Sequence, residues 1–530
     1  MVRRRLIWLL VCAISLVGVS VVPPQNAAAS PRAVQTGSGL VRGVSVDHIE
    51  QFLGVPFAEA DRFAPPRSPG RWGGVRTADR HGPQCPQKTP GPVPLPNSIP
   101  FPSSEDCLSI DLYVPAGTTS QDKLPVMVYL FGGAYVLGST FQYDSPADLV
   151  RRGRVIVAIP NYRVGPFGFL SLPELARQNG GVSGTLGTAD QQAALRWVRD
   201  NIGEFGGDSG NVTLFGESAG GMSVCTQIAS PGSRGLFRRA IIQSGACARS
   251  PLVPPTRESG YERSIAYASS LGCRTPSTRL SCLRKLPVDR LLESPTTGFD
   301  SAKTTWGPFI DGVIVTKTPE EALREGAARS MPLIIGSNAE EGDIFVALFE
   351  YMKGRNPTEG GFRSMVRDLY PDKADAVLAA YPVERYPSPA LAMSAVYTDS
   401  LFACPAQTTS EAAIEGGARV WQYRFAAAPL GRPHPLVPRS FHGAELTYLF
   451  SRLGGVPIPW AGPSRELALQ LRDQWAGFAR NGSPEAAGLP DWTPTQVGSP
   501  HYLSISDSGS AMRSDFGRLH QCDLWADPPR

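Results

Sequence analysis

Short apolar runs recur along this chain at residues 124–131, 155–159, 212–215, 240–242 and 333–335, and segments of helical periodicity lie between several of them. Runs that stay apolar at consecutive positions suit strands covered on both faces. Their alternation with helices predicts a mostly parallel central sheet with helices on both faces. Residues 190–202 carry apolar side chains at helical spacing and end near Gly203 and Gly206-Gly207, which predicts a crossover helix. A late helix is expected over 465–480, where Leu467, Leu471, Trp475 and Phe478 share one face. Two stretches break the pattern: 86–102, with seven prolines, and 249–306. Both are expected to be loops or insertions over the top of the sheet. No repeat is visible and no linker divides the chain, so the fold class is α/β and residues 30–530 are expected to form one domain.

The first 29 residues follow a different logic. Arg3, Arg4 and Arg5 precede an apolar run from Leu6 to Val22, and small residues Ala27-Ala28-Ala29 stand before Ser30. Basic, apolar and small segments in that order form an export signal. The rival reading is a membrane anchor, since the run approaches the lower limit for crossing a bilayer. Cleavage would remove three positive charges and no negative ones, taking the formal net charge from +4 to +1. A nearly neutral mature chain without a basic cluster predicts no nucleic-acid partner and no stable membrane insertion after signal removal. The expected location is secreted or extracytoplasmic. With 42% hydrophobic and 18% charged residues, the chain has material for a sizeable core and is not a disordered or coiled-coil protein.

Nine cysteines less Cys12 leave eight, an even number that suits an oxidising compartment. Cys85 and Cys107 flank the proline-rich stretch, Cys273 and Cys282 close a short loop, and Cys404 and Cys522 would tie a late segment to the C-terminal end. Cys225 and Cys247 lie in apolar surroundings and read as buried free thiols.

Candidate chemistry starts at Gly216-Glu217-Ser218-Ala219-Gly220, which follows the strand-like run Asn211-Val212-Thr213-Leu214-Phe215. A serine between glycines at the end of a strand fits a nucleophile elbow, a sharp turn that projects the hydroxyl away from the core. Acyl transfer by serine also needs a base, an acid to orient the base, and donors for the oxyanion. Of six histidines, His442 in Phe441-His442-Gly443-Ala444-Glu445 stands out, because the following glycine leaves the loop free to aim the ring. Glu341, after the apolar run at 333–335, occupies the place of an acid between serine and histidine in chain order. On spacing alone, a solvated acidic turn at Glu340 and Glu341 is the favoured reading. Consecutive glycines in Phe131-Gly132-Gly133-Ala134-Tyr135 let backbone N–H groups converge on one point.

Several longer motifs carry a resemblance: Glu105-Asp106-Cys107-Leu108, Phe205-Gly206-Gly207-Asp208, the elbow itself through Gly221, Gln243-Ser244-Gly245, Ile310-Asp311-Gly312 and Phe441-His442-Gly443. In this order they resemble the type-B carboxylesterase family, over residue 35 to the C-terminus. The resemblance implies an α/β-hydrolase fold, with Ser218 as nucleophile, Glu341 as acid and His442 as base. It implies oxyanion donors at Gly133, Ala134 and Ala219, residues bracing the histidine side at Ser244 and Glu445, and bridges Cys85–Cys107, Cys273–Cys282 and Cys404–Cys522. Two departures stand out, since Ala134 occupies the place of a third glycine and Ser109 that of an aromatic residue. The implied reaction is hydrolysis of a small-molecule ester with water as second substrate, and neither a cofactor nor a metal is expected. Cholinesterases hold their cationic substrate on a tryptophan of the first disulfide loop. Here the only aromatic residue between Cys85 and Cys107 is Phe101, so uncharged esters of short to medium acyl chains are expected. A lipase or sterol esterase is the alternative enzyme. A non-catalytic binding protein on the same scaffold would lack the serine.

N-terminal sequencing of exported protein is expected to begin near Ser30, and intact Met1 recovered in membranes would favour the anchor.

Overall fold

A computed structural model describes residues 32–88, 101–143, 145–248, 256–293, 306–347, 357–429, 439–453, 456–457 and 463–526. The proposed export signal and most of the proline-rich stretch lie outside the described residues.

Eleven strands form the central sheet: β1 (Val44–Val46), β2 (Ile49–Pro56), β3 (Ser109–Pro115), β4 (Leu124–Leu130), β5 (Ile156–Pro160), β6 (Gly207–Glu217), β7 (Arg239–Gln243), β8 (Pro332–Asn338), β9 (Arg419–Phe425), β10 (Tyr502–Ile505) and β11 (Ala511–Arg513). Their order across the sheet is β11-β10-β9-β8-β7-β6-β4-β5-β3-β2-β1. Every neighbouring pair from β10 to β5 is parallel, and antiparallel strands flank this block on both sides. The five apolar runs expected to be strands are β4 to β8; β6, β7 and β8 extend beyond their runs into residues that periodicity does not capture.

These runs are apolar at consecutive positions because successive side chains enter opposite cores. In β4 and β5, Met127, Tyr129, Val157 and Ile159 join one cluster, whereas Val126, Val128, Ile156 and Ala158 join the other. The crossover helix spans Leu186–Asn201, and the late helix spans Pro463–Asn481 with Trp475 fully buried. A third apolar cluster, with Phe362, Val366, Val377 and Tyr381, is built by helices Glu359–Leu369, Ala374–Ala380 and Pro389–Thr398.

The insertion expected at 249–306 is partly helical, with Arg257–Ser270, Pro276–Lys285 and Val288–Leu292 between undescribed ends. Few of their residues are buried, so their apolar stripes are too sparse to declare a period.

All three implied disulfides are formed, and so is a fourth. Cys225 and Cys247, read from sequence as free thiols, are bonded to each other. Cys225 lies on helix Ala219–Ala229 and Cys247 follows β7, the strand beside the one that feeds that helix, and their Cα atoms are 5.1 Å apart. An apolar setting is common to buried thiols and buried bridges, so the surroundings misled. Among the described residues no helix is long and apolar enough to cross a membrane.

Two expectations follow from the fourth bridge. Mature chain lacking Cys12 should show no thiol reactive toward a disulfide reagent in non-reducing denaturant, whereas two would contradict it. Replacing both Cys225 and Cys247 with alanine should cost about 3 kcal/mol in urea unfolding, the chain-entropy value for a loop of this length.

Candidate active site

Ser218 stands between β6 and helix Ala219–Ala229 with φ 57° and ψ −126°, backbone that a non-glycine residue occupies at a cost of about 1–3 kcal/mol. Hydrogen bonds on both sides hold it there: its N–H donates to Gln243 O (2.9 Å), and its carbonyl accepts from Met222 N (2.9 Å). The flanking glycines are obligatory for steric reasons. A methyl group on Gly220 would fall 1.9 Å from the Leu130 carbonyl oxygen, and one on Gly216 would fall 2.6 Å from the Gly220 carbonyl. Gly245 presses against the Ser218 carbonyl in the same way, at 2.6 Å. Squeezed between β4 and β7, the turn leaves Ser218 half-buried while its neighbours are buried.

Three residues beyond β8, Glu341 is fully buried. Its Oε1 accepts the Asn338 N–H at 2.7 Å, and its Oε2 lies 2.6 Å from His442 Nδ1. Glu341 and His442, 101 residues apart in sequence, therefore form a carboxylate–imidazole pair. The other ring nitrogen, Nε2, lies 3.2 Å from Glu217 Oε1, although that contact lacks the alignment of a hydrogen bond. Among the described residues the Ser218 hydroxyl makes no hydrogen bond. The structure thus joins two of the three expected residues directly. Ser218 is brought to the same place through its chain neighbour Glu217.

Glu217 was passed over in the sequence because it fills the variable position of the elbow motif. Glu445 is a third buried carboxylate, accepting from Asn338 Nδ2 at 2.5 Å and from Gln243 Nε2 at 3.1 Å. Burial raises the pKa of Glu217, with Glu445 and Glu341 adding to the effect while His442 opposes it. Burial lowers that of His442, but the carboxylates of Glu217, Glu341 and Glu445 outweigh it and hold the imidazole above its ordinary value. The rings of Phe402 and Phe345 pack against the imidazole at centroid distances of 4.6 and 5.1 Å, limiting its swing. Ser244, expected to brace the histidine side, does so by no side-chain hydrogen bond among the described residues: its hydroxyl is buried without a partner, and its N–H donates to Gly336 O at 2.9 Å.

Gly132, Gly133 and Ala134 follow β4 and run beside the elbow. A methyl group on Gly132 would fall 2.9 Å from Ser218 Cβ, which shows how closely the two segments approach. Gly133 (φ 117°), Ala134 (φ 53°) and Tyr135 (φ 59°) all have left-handed backbone, costing about 1 kcal/mol at the alanine. Among the described residues the N–H groups of Gly133, Ala134 and Ala219 donate to no acceptor, so they are free to receive a developing oxyanion.

Histidine–carboxylate pairs also occur elsewhere, which the sequence did not suggest. His81 Nδ1 lies 2.6 Å from Asp111 Oδ2, and His520 Nδ1 lies 2.5 Å from Asp399 Oδ1. At His520 the second ring nitrogen accepts from Arg424 Nε at 3.1 Å and is not open to a nucleophile. Among the described histidines, His442 is the one that meets the residue beside Ser218. Asp311 of the Ile310-Asp311-Gly312 motif accepts the N–H groups of Val313, Ile314 and Val315, a structural turn.

The profile of the carboxylesterase family matches residues 30–525. The chain is 33% identical to carboxylesterase 1D of Rattus norvegicus, over 96% of this chain and 94% of that protein. It is 33% identical to para-nitrobenzyl esterase of Bacillus subtilis, over 86% of this chain and 92% of that protein. With fumonisin B1 esterase of Sphingopyxis macrogoltabida the identity is 30%, over 94% and 93% of the two chains. Among solved structures it superposes on a PNB esterase with a TM-score of 0.77 and 30% identity, over 93% of this chain and 99% of that one. An elbow serine, a buried glutamate–histidine pair and idle N–H donors on an α/β-hydrolase sheet thus accompany whole-length similarity to ester hydrolases, and the chain belongs to the carboxylesterase family.

Proposed function

We propose that this protein is a secreted carboxylic ester hydrolase working through an acyl-enzyme on Ser218, with His442 as general base and Glu341 orienting it. The observation that carries the reading is the 2.6 Å contact between Glu341 Oε2 and His442 Nδ1 beside a serine held in strained backbone. Glu341 fixes the tautomer in which Nδ1 carries the proton and Nε2 is the basic nitrogen. An ester carbonyl lodges its oxygen against the N–H groups of Gly133, Ala134 and Ala219. His442 Nε2 takes the hydroxyl proton as Ser218 Oγ bonds to the carbonyl carbon. When the tetrahedral intermediate collapses, the C–O bond to the alcohol breaks and the alcohol leaves with the proton from His442. Water then adds to the acyl-enzyme, gives its proton to His442, and releases the acid as that proton returns to Ser218.

In the resting arrangement Nε2 faces Glu217. A neutral imidazole that donates Nδ1–H to Glu341 presents a bare Nε2, and 3.2 Å from a carboxylate oxygen that is unfavourable unless one of the two groups is protonated. Both groups have raised pKa values, which favours a proton on one or the other in the resting arrangement. Its loss frees Nε2 to turn toward Ser218.

Uncharged esters of short to medium acyl chains suit this site. Phe101, the single aromatic residue of the first disulfide loop, has one face stacked on Phe141 at 4.4 Å. The para-nitrobenzyl and fumonisin esterases are named for bulky esters, which favours an alcohol side tolerant of size. Four disulfides support an extracytoplasmic location, in keeping with the export signal expected in residues 1–29.

Ser218→Ala should fold as the parent does by circular dichroism and lower kcat on a chromogenic ester by about 10⁴-fold or more, and undiminished turnover would place the chemistry elsewhere. An organophosphate should label one serine stoichiometrically, and peptide mapping should find it at 218. Because the base must be unprotonated, its raised pKa should set the acid limb of kcat/KM above the ordinary histidine value. Glu217→Gln removes the largest of the charge effects that raise it, so that limb should move to lower pH. An unmoved limb would assign it to another group.

A further inference from the structure

Away from the elbow, where helix Pro463–Asn481 meets helix Ala147–Gly153, four guanidinium groups crowd around one carboxylate. Arg151, Arg152, Arg465 and Arg472 line a cavity of about 310 Å³ together with Asp148, Ala468 and Leu469. Asp148 is already engaged on both oxygens: its Oδ1 takes Arg151 Nη2 at 2.5 Å, and its Oδ2 takes Arg472 Nη1 at 2.7 Å and Ser451 Oγ at 3.3 Å. Arg152, which also lines the cavity, is engaged in a two-pronged pair with Asp473, at 2.7 Å for each bond. Four arginines against these two aspartates leave two positive charges in excess.

The arrangement is unfinished at two points. Arg472 is only 3% exposed, its Nε donates to Leu449 O at 3.2 Å, and its Nη2 meets no acceptor among the described residues. A buried guanidinium N–H without an acceptor costs about 1–3 kcal/mol, more when the group is charged. Burial presses against its charge and Asp148 opposes that, while the nearby Arg151 and Arg152 add to the pressure. Arg465 is exposed and pairs with nothing among the described residues. Burial of one arginine beside three others is unfavourable unless an anion joins them.

We propose that this cavity binds a tetrahedral oxyanion of the phosphate class, anchored on the buried Arg472 and clasped by Arg151 and Arg465. Guanidinium groups match phosphate oxygens in paired, charge-assisted hydrogen bonds, and a doubly charged ion would balance the local excess. The anion could come free from solution or as the headgroup of a phospholipid; the chemistry of the cavity is common to both. The site is separate from the elbow yet touches the segment that carries the proposed base, because Arg472 holds the carbonyl of Leu449, the last residue of the short helix after Glu445.

The test uses the full mature chain and inorganic phosphate, with sodium chloride adjusted to constant ionic strength. Calorimetric titration should give saturable binding near one ion per chain, and thermal unfolding should move upward with phosphate. Arg465→Glu, and separately Arg151→Glu, should weaken binding about tenfold or more while esterase turnover stays at the parent level. Sedimentation with phosphatidylglycerol vesicles separates the sources: binding that Arg465→Glu abolishes assigns a lipid headgroup, and no binding assigns the free ion. No phosphate heat beyond that of matched chloride, or an affinity that neither substitution changes, would overturn the proposal.

Discussion

One amide side chain joins the segments that carry the proposed acid and base. Asn338, the last residue of β8, donates its backbone N–H to Glu341 and its Nδ2 to both the Phe441 carbonyl and Glu445. It works beside the backbone bond from Glu340 N–H to Ser440 O (3.1 Å), the Ser440 N–H bond to Glu340 Oε2 (3.2 Å) and the Arg439–Asp343 pair, which tie the same two loops. Three buried carboxylates around one imidazole repel one another, and each needs donors that water no longer supplies. Asn338 supplies them to two of the three, and Gln243 adds a bond to Glu445. Trp475, in turn, donates to Gln243 at 3.3 Å, so the late helix is tied into the same polar network.

The sheet explains why these parts meet. Parallel strands deliver their C-terminal ends to one edge, where loops can converge. The Gly132–Ala134 segment leaves β4 there, Ser218 leaves β6, Ser244 leaves β7 and Glu341 leaves β8. His442 arrives from the connection after β9. Double-sided burial of these strands fixes their register, so that the residues just beyond them are placed by packing on both faces. The geometry of the site is therefore set by the core.

How much of this could be read beforehand varies with the kind of force involved. The elbow was legible because its constraint is steric and local: only glycine fits at 216 and 220, and the pattern is written in adjacent letters. The strands β4 to β8 were legible because double burial leaves uninterrupted apolar runs. Glu341 and His442 could not be told from surface residues by spacing, since what distinguishes them is a contact across 101 residues, and only the longer motifs singled them out. Glu217 hid inside a position that the motif leaves unspecified. The Cys225–Cys247 bridge hid because the same apolar surroundings suit either oxidation state, and the helices within 257–292 hid because they bury so little. His81 and His520 look featureless in sequence and acquire carboxylates only through folding.

Ala134 gives the loop beside the elbow a character that glycine would not. Alanine in the left-handed region is strained, but it also removes conformations that a third consecutive glycine would sample. The amide at 134 is thereby kept from wandering, and so is its neighbour at 133, which is pressed against Leu137. In the proposed mechanism, dipoles held still in advance need no reorientation when negative charge appears on a bound carbonyl oxygen, and that saving recurs at every turnover, whereas the backbone strain is incurred once, at folding.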